Sequence, residues 1–268
     1  MDDRVVSFAA VAFTNEADAY ERGRPGYADT VVADLVDTFQ LGPGRRALDL
    51  AAGTGKLTRQ LVASGADLVA VEPLAALRAQ FGVVLPAVTV LDGTAEAIPL
   101  DDASVDAVFV AQAFHWFDPD RALAEISRVL RPGGFLALLW NDRDDDVAWV
   151  VELDEIMHGE QAAAVAHMPG YASRASHTDH QPAGIATIAA SGSFSAVTAI
   201  TGRHAPDTTA EAVVDAVRSR SYIGSLPASD RDAVLRRVRA LVADFPTTFP
   251  MPYVTRAFWC QLLSPISS

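Results

Sequence analysis

The sequence predicts an α/β fold built on a doubly wound, mostly parallel sheet, and three observations carry that reading. Residues 46–58, RALDLAAGTGKLT, read as a short buried strand that runs into a glycine turn and then a helix. An acid, Glu72, closes a second apolar run at 68–71, roughly twenty residues further on, where such folds hydrogen-bond a nucleotide ribose. Apolar runs of strand length at 105–110 and 135–140 then alternate with segments of helical periodicity.

Taken in order, Val31, Val32, Leu35, Val36 and Phe39 make one helical face. Pro25-Gly26 breaks the chain ahead of it. Residues 8–40 are a candidate flap in which Tyr20 and Arg24 close over a cofactor, Arg24 being suited to bidentate carboxylate contacts. After the Gly42-Pro43-Gly44 turn comes the first strand, 47–50, with Asp49 near its end. Gly53 and Gly55 let the backbone turn tightly beside a ligand. The helix at 56–64 would aim its first free N–H groups at that ligand. A helix at 74–81, a third strand at 88–91, a fourth at 105–110 and a loop at 112–117 follow. Asp118 is a plausible N-cap for a helix at 119–130, with proline in its first turn. Arg131-Pro132-Gly133-Gly134 stops that helix before the fifth strand at 135–140.

Beyond Asn141 the pattern predicts a helix at 147–157, more helix at 161–167, and a mobile loop over Pro169-Gly170-Tyr171 and 173–181. A sixth strand is expected at 194–200, helices at 209–219 and 229–243 with Asp207 and Ser229 as caps, and a last strand at 252–262. The chain reads as one domain, 1–268, with its cofactor core at about 40–140. Insertions at about 141–190 and 203–248 would build a lid and substrate cap.

Half of the 268 residues are hydrophobic, which suits one large α/β domain. The formal charge is −13 and Lys56 is the only lysine. A nucleic-acid reader needs clustered basic residues, so no nucleic-acid partner is expected. No apolar run approaches the ~18–20 residues that span a bilayer, and MDDRVVSF lacks a basic region followed by an apolar core. The expectation is a soluble, cytoplasmic chain, monomer or homodimer, with no membrane partner. Cys260, the only cysteine, allows neither an internal disulfide nor a cysteine metal cluster. His177-Thr178-Asp179-His180 is loosely spaced, with no partner motif, and no metal is expected.

The glycine turn admits three readings. A P-loop, G-x-x-x-x-G-K-[ST], fails because Leu50 stands at the first glycine and Leu57 at the last position. A dinucleotide turn, G-x-G-x-x-G, fits Gly53 and Gly55 but meets Thr58 at its third position. The third is S-adenosylmethionine (SAM) binding, where an acid leads a Gly-x-Gly turn.

ALDLAAGTGKLT, VAVEP, GTAEAIPLDDASVDAVFVAQAFHWFD and EISRVLRPGGFLALLW occur in this order. Together they resemble the class I SAM-dependent methyltransferases over residues 8–145, with Asp49 to Gly55 similar to the D-x-G-x-G-x-G motif and Ala51 at its first glycine. AQAFHWFD, YERGRPGY and WNDRD narrow the resemblance to the small-molecule branch that includes trans-aconitate-type (type 11) methyltransferases. The resemblance implies a Rossmann-like seven-stranded, mostly parallel sheet with an antiparallel last strand and helical lid insertions. It implies SAM as cofactor, S-adenosylhomocysteine as product and a small-molecule methyl acceptor. Asp49, Gly53 and Gly55 would line the methionine and ribose side, Glu72 would bind the ribose, and Thr94, Ala95 and Glu96 would border the adenine. Ala51, Thr54, Pro73, Ala111 and Gln112, with Tyr20 and Arg24, complete the cofactor set. Ala51 fits if its backbone stays in the β region. Thr94 stands where many members carry an adenine-binding Asp.

His115, just after the fourth strand where the reacting methyl should lie, is the candidate base, as histidine titrates near neutrality. Phe114 and Asn141 join it in the expected acceptor pocket, and Trp116, Trp140 and Trp149 shape that pocket or belong to the core. Gln112-Ala113-Phe114-His115 replaces the [DN]PP[YF] segment of nucleobase and amide methyltransferases. A SAM-binding protein without turnover and a nicotinamide-dependent oxidoreductase are the alternatives.

Overall fold

Parity along each strand decides which helix layer a residue meets, and that rule places the site. In the computed structural model, which describes residues 25–166, 177–218, 220–224 and 226–263, the strands are β1 (Arg46–Leu50), β2 (Asp67–Val71), β3 (Thr89–Leu91), β4 (Val105–Ala111), β5 (Leu130–Arg143), β6 (Thr198–His204) and β7 (Tyr253–Gln261). Besides a single turn at Ser221–Gly224, the α-helices are α1 (Asp29–Thr38), α2 (Lys56–Leu61), α3 (Ala75–Val84), α4 (Pro119–Val129), α5 (Ala148–Ala166), α6 (His177–Ser191), α7 (Ala210–Arg218) and α8 (Ala228–Leu241). The sheet order is β3-β2-β1-β4-β5-β7-β6. Only β7 is antiparallel, to both β5 and β6, so β6 runs with the other strands.

Leu48 and Leu50, Val108 and Val110, and Leu136, Leu138 and Trp140 face Leu123 and Ile126 of α4 and Ile188 of α6. Their alternates Ala47, Phe109 and Leu139 face Val32 and Leu35 of α1 and Leu57 and Leu61 of α2. Side chains alternate faces along a strand, so Asp49 shares the Ala47 side and meets α2. The expected cap of α4 is present: the Asp118 carboxylate accepts from the Arg121 amide at 3.2 Å, with Pro119 in the first turn.

Several expectations need correction. Residues 131–134 do end α4, but they open β5, where the register against β4 shifts between Val105 and Ala107 and Gly133 takes φ +77°. A bulge absorbs the Pro-Gly-Gly sequence that reads as a turn. The stretch expected as loop to 181 is helical from His177, and α6 packs on the sheet: a Cβ on Gly184 would lie 3.0 Å from the Phe114 ring. The sixth strand is Thr198–His204, while Phe194 makes only an isolated bridge to Leu262. This edge strand alternates exposed and half-buried positions, so apolar content was a poor guide to it. Neither expected cap serves. Asp207 pairs with Pro250 in a two-residue ladder, and Thr209 accepts from the Ala212 amide instead. Ser229 lies inside α8 and bonds Asp230.

A separate apolar cluster joins Leu153, Ile156 and Met157 of α5 to Val213, Val214 and Val217 of α7 and Val234, Leu235 and Val238 of α8. No described helix is long and apolar enough to cross a membrane.

Candidate functional site

Where β1 ends, Asp49 is almost fully buried and turned towards α2. Its Oδ2 accepts from the Thr58 hydroxyl at 2.5 Å, and the Thr58 amide also faces the carboxylate. One first-turn donor of α2, the Thr58 amide, is thus directed at Asp49 and not at a ligand. Oδ1 has no partner among the described residues. Burial pushes the Asp49 pKa up to about 6, against the pull of the Thr58 bonds.

The turn itself is held by its neighbours. Ala52 N–H donates to the Val71 carbonyl, Gly55 N–H to the Ala52 carbonyl, and Gly53 N–H to Glu72 Oε2 at 2.9 Å. The other Glu72 oxygen accepts from the Leu74 amide at 2.9 Å. Burial raises the Glu72 pKa, opposed by those two amides and the Arg78 guanidinium and aided by the Asp49 charge. Gly55, at φ +84°, is required twice over, because a Cβ there would lie 2.6 Å from Leu85 and 2.9 Å from Phe81. Gly53, at φ +58°, opens on empty space.

Ala51 takes φ +58°, the left-handed region, so the condition under which its methyl group fits, a β-region backbone, is not met. Gln112 does the same at φ +59°, one residue past the end of β4. Both lie just past the ends of neighbouring strands, where the strand order reverses. Each left-handed L-residue costs about 1–2 kcal/mol. Such strain concentrates at functional edges.

The remaining expected residues divide. Ala95 is buried in the cluster that includes Val71, next to half-buried Thr94, and Pro73 continues from Glu72. Glu96 is buried, and its Oε1 accepts from the Asp118 amide at 2.8 Å. Thr54 is buried within the turn, and Ala111 ends β4. A 3-10 turn, Phe114–Trp116, presents His115 and Trp116 half-buried, their rings 4.9 Å apart, above buried Phe114. Asn141 is not a free pocket group, because its side chain is committed to Gly26 and Thr255. Trp149 lies elsewhere, against Phe245 and Phe249 in the cluster of α5, α7 and α8, and Trp140 is core. Tyr20 and Arg24 lie outside the described residues. Sequence reading missed Thr58, Gln60, His204 and Thr255. Only Thr58 had a local signal, its place in the first turn of the helix after the motif. Cys260 is buried, which pushes its thiol up to about 12 and makes it a poor nucleophile.

A family model described as a methyltransferase domain matches residues 48–138. The chain is 42% identical over 251 residues to an uncharacterized methyltransferase of Mycobacterium tuberculosis, covering 92% of this chain and 93% of that one. This chain belongs to the class I SAM-dependent methyltransferases. Solved structures agree on the fold of the methyltransferase. The YcgJ protein of Bacillus subtilis aligns with a TM-score of 0.53 and 18% identity over 87% of this chain and 98% of that one. Phosphoethanolamine N-methyltransferase 2 of Haemonchus contortus, in complex with phosphomonomethylethanolamine and S-adenosylhomocysteine, aligns with a TM-score of 0.53 and 15% identity over 94% and 58%.

The site of the methyltransferase fits the family's cofactor better than a dinucleotide. The Gly53 N–H, which a pyrophosphate would need, is already taken by Glu72. Two buried carboxylates flank the turn, one with an unpartnered oxygen, and they favour a ligand carrying donors and positive charge.

Asp49 makes stability depend on pH. Its folded pKa of about 6 exceeds the ordinary 3.8, so its favourable contribution is complete below pH ~4 and is lost as pH rises through 6. The loss amounts to about 3 kcal/mol. Urea unfolding of the free protein and of Asp49→Asn is expected to show the variant gaining relative stability by about that amount between pH 4 and pH 7. Parallel stability curves would contradict the buried carboxylate.

Proposed function

We propose that the protein transfers the methyl group of SAM to a small-molecule acceptor by in-line displacement. The observation that carries the cofactor assignment is the Glu72–Gly53 bond beside an open glycine. It sets a carboxylate with spare lone pairs at the end of β2, able to accept from ribose hydroxyls. Asp49, Ala51, Gly53, Thr54 and Gly55 would line the methionine and ribose side. Pro73, Thr94 and Ala95 would border the adenine, and Ala111 and Gln112 would close the edge at β4. Tyr20 and Arg24 are assigned to the same cofactor through the N-terminal segment. The S-adenosylhomocysteine held by the Haemonchus contortus neighbour supports the choice of ligand.

When bound, SAM supplies a methyl group on a sulfonium, already activated for displacement. The chain's part is to align the acceptor and exclude water. His115 and Trp116 present polar and aromatic surface at the end of β4, and His115 can take a proton from an acceptor hydroxyl or N–H. A charge of −13 with a single lysine argues for a small molecule and against nucleic acid as acceptor. The Gln112-Ala113-Phe114-His115 segment supports the same choice.

Glu72→Ala is expected to weaken S-adenosylhomocysteine binding at least about tenfold in calorimetry with circular dichroism unchanged, the loss of charge-assisted bonds. Unchanged affinity would show that Glu72 is not the ribose acid. With an acceptor found by labelled methyl transfer, His115→Gln is expected to lower kcat by about 100-fold and flatten its pH profile, leaving product affinity intact. Normal turnover across pH would remove His115 as base.

A further inference from the structure

The Pro25-Gly26-Tyr27 stretch is held from two sides by groups distant in sequence. On one side Gln60 of α2 pairs with Tyr27 as a strand would: Tyr27 N–H donates to Gln60 Oε1 at 2.8 Å, and Gln60 Nε2 donates to the Tyr27 carbonyl at 2.8 Å. A Cβ on Gly26 would lie 2.9 Å from that amide oxygen, so a side chain there would push the Gln60 amide out of this pairing. On the other side the Gly26 carbonyl accepts from Asn141 Nδ2 at 2.7 Å and lies 3.1 Å from His204 Nε2. A carbonyl only accepts, so Nε2 carries the histidine proton. Thr255 completes the circuit by accepting from the Ala28 amide at 2.8 Å and donating to Asn141 Oδ1 at 2.5 Å. That circuit fixes the Asn141 amide, because a flip would set its oxygen against the Gly26 carbonyl. A Cβ on Gly202 would lie 2.7 Å from Val31 and 2.8 Å from Thr30 of α1 and 3.2 Å from Ala28, so β6 is also shaped to let the end of the strap and the start of α1 come close.

Both anchors belong to elements that carry the site. Gln60 stands in α2, whose Thr58 holds Asp49. The Asn141 carbonyl accepts from Gln112 Nε2 at 3.2 Å, and Gln112 is the left-handed residue at the end of β4. We propose that His204 is a positioning residue for the cofactor site: through the Gly26 carbonyl it seats the 26–28 strap, which braces α2 against β5, and strap seating and cofactor binding favour one another. The proposal rests on the SAM site described above. Coupling of this kind is reciprocal, so cofactor must tighten the strap as much as the strap tightens cofactor.

The test uses the full chain, S-adenosylhomocysteine calorimetry and amide hydrogen exchange at Tyr27 and Ala28. In the unaltered protein, ligand is expected to slow exchange at both amides. His204→Ala is expected to speed their exchange without ligand and to weaken S-adenosylhomocysteine about fivefold, the scale of one hydrogen bond. His204→Gln, which keeps an N–H donor, is expected to recover most of that affinity. Faster exchange with unchanged affinity in His204→Ala would overturn the coupling and leave the strap purely structural. Unchanged exchange in that variant, read without ligand, would overturn the seating role itself. An unaltered chain that binds no S-adenosylhomocysteine would instead contradict the cofactor reading.

Discussion

Two carboxylates buried at the ends of β1 and β2 constrain everything around the glycine turn. Asp49 takes the Thr58 hydroxyl and faces its amide, which joins β1 to α2. Glu72 takes the amides of Gly53 and Leu74, which joins the turn to the start of α3. Burying such groups is costly unless they are hydrogen-bonded, and their raised pKa values record the cost that remains. The turn is consequently an acceptor-rich edge with its own amides engaged. That chemistry suits a cationic ligand with ribose hydroxyls and disfavours a pyrophosphate, although the same glycines also read as part of a dinucleotide turn.

Much of this was legible in the chain because it is local. Apolar runs bounded by Gly and Pro gave the strands of the cofactor half, and Asp118-Pro119 marked the start of α4. Parity alone turns Asp49 from the Leu48 and Leu50 face towards α2. The illegible features are those in which tertiary context overrides local preference. Ala51 and Gln112 adopt a conformation that favours glycine, and nothing in their residue type announces it. Arg131-Pro132-Gly133-Gly134 reads as a turn and becomes a bulged strand because β4 offers it partners. The beginning of α6 reads as a loop, yet its later residues Gly184 and Ile188 dock on Phe114 and the sheet. Asn141 reads as a pocket group and Trp149 as pocket or core. Their contacts lie with Gly26 and with the outer cluster, respectively.

The two halves of the molecule differ in the same way. The cofactor half is set by strand ends and a turn, each within a few residues of the next. The other half is assembled by long-range contacts, the shared cluster of α5, α7 and α8 and the clasp that His204, Asn141 and Thr255 place on the Gly26–Ala28 segment. Contacts between residues so far apart in sequence leave no local signal, which explains why the first half is the more readable from sequence.

The central claim is that this edge binds an adenosyl sulfonium and not a nicotinamide dinucleotide. The most direct measurement is calorimetric titration of the unaltered protein with SAM and S-adenosylhomocysteine, with NADH as control. Saturable binding of both adenosyl ligands in the micromolar range is expected, and none of NADH. Saturable NADH binding with no response to either adenosyl ligand would contradict it.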